Sequence, residues 1–70
     1  MIQQTTLLKR NMSGPQVTEL QQNLQSLGFQ ITIDANFEEE THSKVIEFQR
    51  KYGISADGIV GPVTRNMLKY

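Results

Sequence analysis

The chain has no cysteine, no tryptophan, only two prolines and a single histidine in 70 residues. Without cysteine there is no disulfide framework and no thiolate metal site to staple a small fold. One histidine leaves only carboxylates as further ligands, so a zinc site is unsupported. Excess charge is missing as well: seven basic residues face seven acidic ones. Phosphate backbones are held by a clustered basic surplus, so nucleic acid is excluded as a main partner. Lys9-Arg10 and Arg50-Lys51 are only pairs, and the second falls where a helix should end, favoured there by the helix dipole. No apolar run approaches the roughly 20 residues that span a bilayer, so no membrane is expected as a partner. Residues 1–12 also lack the apolar stretch of a secretory signal. Work outside the cytoplasm would therefore imply a removed signal, a fragment, or unconventional export.

Seventy residues make one domain at most, and a chain this short buries only about 60% of its unfolded surface. Stability must come from packed helices and well-made turns. Three stretches carry that punctuation. Val17, Leu20, Leu24 and Leu27 lie at spacings of three and four, one stripe of an amphipathic helix expected over 15–27. Ser13 or Gly14 can cap it, Pro15 suits the first turn, and Gly28 suits the left-handed position after its end. A second helix is expected over 39–52, with Thr41, Val45, Phe48 and Tyr52 facing inward and Gly53 stopping it. Glu38-Glu39-Glu40 open it, where carboxylates offset the positive end of the dipole. A third, short helix is expected over 62–69, with Val63, Met67 and Leu68 as its apolar contacts. Phe29, Ile31 and Ile33 alternate with polar residues, a segment too brief to imply a sheet. Residues 1–7 read as an N-terminal arm, with Leu7 and Leu8 able to dock on the core, and 8–70 as the domain.

An internal repeat runs through this pattern. Asp34-Ala35-Asn36-Phe37-Glu38-Glu39-Glu40-Thr41 matches Asp57-Gly58-Ile59-Val60-Gly61-Pro62-Val63-Thr64 position by position, 23 residues later. In each copy an aspartate enters a tight turn, an apolar residue follows and a threonine lies in the first helical turn. Gly14-Pro15-Gln16-Val17 is a shorter third copy, placing Pro15, Glu39 and Pro62 at equivalent helix-opening positions. One helix per unit gives an all-α, compact three-helix bundle of turn–helix pseudo-repeats. Catalysis is poorly served. His42 and Ser43 are neighbours on a helix and point apart, which spoils a base–nucleophile pair. The glutamate run and the two turn aspartates have local structural duties that compete with a role as glycosidase carboxylates.

Together these signals resemble the type 1 peptidoglycan-binding domain of cell-wall hydrolases. The likeness spans Leu8, Gly14, Val17, Leu20-Gln21, Leu24 and Leu27-Gly28-Phe29; then Asp34, Phe37, Thr41, Val45 and Phe48-Gln49-Arg50-Lys51-Tyr52-Gly53; then Ala56 through Thr64, and Leu68. It implies a non-catalytic module without cofactor that binds peptidoglycan by glycan strand or stem peptide; neutral charge and no long coiled-coil pattern make a monomer the default. It would hold a linked catalytic domain at the cell wall, outside the cell, in a bacterial or phage-lysin protein. Two rivals remain: a protein–protein module of the same fold, like a metalloprotease prodomain but lacking the inhibitory cysteine, and a minimal wall hydrolase.

The resemblance further implies a shallow groove near the turn–helix junctions, here expected between the 34–41 and 57–64 loops. Candidate ligand contacts are Asn36, Phe37, Gln49, Asp57 and Arg65, with Arg65 suited to a stem-peptide carboxylate. Gln21 and Gln49 have a competing structural role, each amide tying down a neighbouring loop. Phe37 divides between sugar stacking and core, whereas Tyr52, on the helix stripe, belongs to the core. Asn11, Ala35 and Glu38 stand where the family usually carries glycine. If position 35 or 38 needs a positive φ it is strained, and the 34–38 turn is expected to close differently from 57–61.

Overall fold

The computed structural model describes residues 7–68; the expected arm falls outside them except for Leu7. The order is α1 (Pro15–Ser26), α2 (Glu39–Lys51) and α3 (Pro62–Leu68), with no strand among the described residues. Each helix opens one residue after its repeat junction: Gly14, Glu38 and Gly61 offer their carbonyls to Thr18, His42 and Arg65. The Glu39 and Glu40 side chains lie in the first turn of α2, and Arg50 and Lys51 in its last, both favourable to the dipole.

The first two helices end alike. Phe29 N–H returns to Leu24 O and Gly28 N–H to Gln25 O; Ile54 N–H returns to Gln49 O and Gly53 N–H to Arg50 O. This is the Schellman closure, which needs a left-handed residue, and Gly28 (φ 100°) and Gly53 (φ 70°) supply it.

The core is one cluster: Leu8, Val17, Leu20, Leu24, Ile31, Phe37, Val45, Phe48, Val60 and Leu68. Three expected core residues stand elsewhere. Leu27 follows the last turn of α1 and is 43% exposed; Tyr52, the C-cap of α2, is 39% exposed, although its ring stacks on Phe48 at 4.6 Å. Val63 is 62% exposed. In α3 it is Thr64 and Leu68 that are buried; four apart, they define the inward face and leave Val63 outside it.

The segment before α1 straps the repeats together. Leu8 and Val60 exchange both backbone hydrogen bonds, Leu8 N to Val60 O at 3.2 Å and Val60 N to Leu8 O at 2.8 Å. Further along, Phe37 N–H donates to Met12 O, Asn11 N–H to Phe37 O and Gly14 N–H to Ala35 O. Phe37 and Val60, equivalent in the repeat, are thus held alike, and both are fully buried.

Candidate ligand-binding cleft

The two loops are built around two buried glutamines. Gln21 Nε2 donates to Asp34 Oδ1 (3.0 Å), Asn36 O (3.0 Å) and Thr41 Oγ1 (2.9 Å), while its Oε1 accepts from the N–H groups of Asp34 and Ala35. Gln49 Nε2 donates to Asp57 Oδ1 (3.1 Å), Ile59 O (3.0 Å) and Thr64 Oγ1 (3.2 Å), and its Oε1 accepts from Gly58 N–H. Each aspartate also caps its own turn, Asp34 Oδ1 accepting from Asn36 N–H and Asp57 Oδ1 from Ile59 N–H. These bonds hold the Asp34 carboxyl below the usual carboxylate range, the Asn36 N–H contributing most and the Gln21 amide next.

At the second residue the two turns share one backbone conformation, against expectation, although Gln21 accepts from two N–H groups and Gln49 from one. Ala35 takes φ 67° where Gly58 takes 75°, so the glutamine lock imposes the left-handed conformation on an alanine that resists it. Position 38 needs no glycine, because Glu38 is extended (φ −113°). Asn11, at φ 78°, shows the tolerance of asparagine for that region.

Side chains from the strap and from α2 occupy the seam between the loops. His42 lies against Gly58, where a Cβ would run into its ring. Arg10 Nη2 donates to Glu39 Oε1 at 2.9 Å and to His42 Nδ1 at 3.1 Å. A guanidinium only donates, so Nδ1 accepts and the ring proton sits on Nε2. His42 is half-buried.

One open concavity among the described residues lies against the 57–64 loop. It is a cleft of about 360 Å³ whose walls include Leu7, Ile59, Pro62 and Val63, with Ser55 and Asp57 among its polar members. Of the five candidate contacts, only Asp57 lines it. Phe37 and Gln49, both expected as ligand contacts, have no exposed surface: one fills the core and the other locks a loop. Asn36 is exposed but on the other loop, and Arg65 is half-buried on α3 outside the cleft. The sequence reading missed Leu7, Ile59 and Val63 as walls. For Val63 the signal was its position one residue before buried Thr64. Among the described residues, no group of three or more His, Asp or Glu could hold a metal ion.

Residues 13–68 match the family model described as "Putative peptidoglycan binding domain". The chain is 43% identical over 58 residues to an N-acetylmuramoyl-L-alanine amidase of Mycobacterium tuberculosis, covering 81% of this chain and 14% of that protein. A peptidoglycan-binding protein of Clostridioides difficile, solved in complex with glutamine hydroxamate, superposes with a TM-score of 0.89 at 42% identity, over 91% of this chain and 40% of that one. The SleB N-terminal domain superposes at 0.88 with 35% identity and is itself 89% covered. The chain spans only 14–18% of the amidases it matches, so the likeness concerns one part of those proteins. With the repeat, the paired glutamine locks and the matched span in agreement, the chain belongs to the peptidoglycan-binding domain family.

Proposed function

We propose that this chain is a non-catalytic module that binds bacterial peptidoglycan as a monomer and keeps a linked cell-wall-degrading domain at its substrate. The match of residues 13–68 to the binding-domain family carries this reading. The cleft supports it: apolar walls with a few fixed polar groups suit a ligand read by modest contacts. A weak anchor suffices, because tethering raises the effective concentration of the linked domain at the wall. The wall, outside the cytoplasm, is where such a module works, in keeping with the relatives' names as amidases and spore cortex-lytic enzymes.

Co-sedimentation of the 70-residue chain with insoluble peptidoglycan, beside cellulose and chitin, tests the proposal. Pelleting with peptidoglycan alone, the polymer left intact, is the expected result. A chain that stays in the supernatant across a range of salt and pH overturns it.

A further inference from the structure

We propose that the cleft beside the 57–64 loop takes an uncapped primary ammonium on a short aliphatic chain, the chemistry of the diamino residue in an un-cross-linked stem peptide. The inference rests on the peptidoglycan reading above and adds which part of the polymer is read.

Among the described residues, Asp57 is the only charged one in the lining. Its Oδ1 is used internally, accepting from Gln49 Nε2 and Ile59 N–H. Those two bonds fix the carboxylate plane, and Asp57 enters neither ion pair found among the described residues. Its Oδ2 therefore remains as an acceptor without a described partner. Around it stand Leu7, Ile59, Pro62 and Val63, a surface for methylenes. A carboxylate in a largely apolar cleft, with no cation among its described lining residues, selects an alkylammonium. A ligand carboxylate at the same place would meet like charge with nothing to offset it.

The repeat supplies an internal comparison. Asp34 is locked by Gln21 as Asp57 is by Gln49, but Glu38, Glu39 and Glu40 replace Gly61, Pro62 and Val63. The first loop thus keeps the aspartate and lacks the apolar wall, so only the second forms the subsite. Cross-linking converts the stem-peptide amine into a neutral amide. The module would accordingly favour wall whose peptides are not yet joined.

The test pairs a synthetic lysine-containing stem tetrapeptide with the same peptide acetylated at the side-chain amine. Both are titrated against the full chain by NMR, beside sedimentation with insoluble peptidoglycan. The free amine should bind about fivefold tighter, the upper range for an exposed ion pair, and salt should shrink that advantage. Asp57→Asn retains Oδ1 as an acceptor for Gln49 and Ile59, so the loop stays locked while the preference for the free amine disappears. Val63→Ser, at an exposed position, should weaken both peptides together. Equal affinity for the two peptides, or an unchanged preference in Asp57→Asn, with pelleting retained, overturns the ammonium subsite and leaves the anchor standing. Loss of pelleting as well overturns both.

Discussion

Replacing Gln49 by glutamate isolates the lock from the packing around it, because the two side chains have nearly the same shape. The carboxylate keeps an acceptor for Gly58 N–H. It also turns a second oxygen toward Asp57 Oδ1, Ile59 O and Thr64 Oγ1, all acceptors of the present amide at 3.0–3.2 Å. Gln49 is fully buried, so the new charge is cut off from water and faces no cation, only the Gly58 N–H and acceptor oxygens, a situation that costs about 3–5 kcal/mol. A domain of this length has a total stability of roughly 4–10 kcal/mol. With a urea dependence of about 1 kcal/mol/M, the midpoint should fall by about 3 M or the chain should be unfolded without denaturant. Gln49→Met fills similar space without charge and leaves fewer conflicts, so it should lose about 2–3 kcal/mol. Far-UV circular dichroism in a urea series reads both. A Gln49→Glu midpoint within about 0.5 M of the parent would refute the reasoning, since the amide could not then be donating to three acceptors. So would a Met variant weaker than the Glu variant.

Three further outcomes follow from the loops. Ala35→Gly should stabilise by about 0.5–1 kcal/mol, because relief of the left-handed strain exceeds the added unfolded-state entropy; a lower thermal midpoint would contradict it. Gly58→Ala should destabilise by about 2–3 kcal/mol through its positive φ and the His42 ring, and His42→Ala should recover about 1 kcal/mol of that in a double-mutant cycle. Strict additivity would show that the ring does not press on position 58. Asp34 has a carboxyl lowered from its ordinary value of 3.8, so the folded chain binds fewer protons there than the unfolded one, and its contribution is full above that value. It is lost as pH falls through the lower folded value; Asp34→Asn should lose that acid-side slope, and an unchanged pH–stability profile would count against it.

Much of this was readable along the chain. The helix bounds followed from apolar spacing and from Gly28 and Gly53, whose left-handed turns are local requirements. The paired roles of Gln21 and Gln49 were visible in part: each follows an apolar residue of its helix, and the aspartate and threonine it holds recur at the same mutual spacing in Asp34–Thr41 and Asp57–Thr64. Side chains at helix margins were less legible. Leu27, Tyr52 and Val63 satisfy the hydrophobic pattern, yet all three are exposed, because the pattern does not say where a neighbouring element ends.

By itself the sequence determined the three helices, their stops, the duplicated turn and the family, all set by interactions within a few tens of residues. Only the tertiary structure decided where the concavity lies. The strap from Leu8 to Gly14 binds both loops, and it brings Arg10 onto Glu39 and His42, whose ring lies against Gly58. That docking places side chains in the seam between the loops, while a cleft opens between Leu7 and the 57–64 loop. Contacts between segments some 30 to 50 residues apart depend on how the repeats pack, and no local pattern of residue types encodes them.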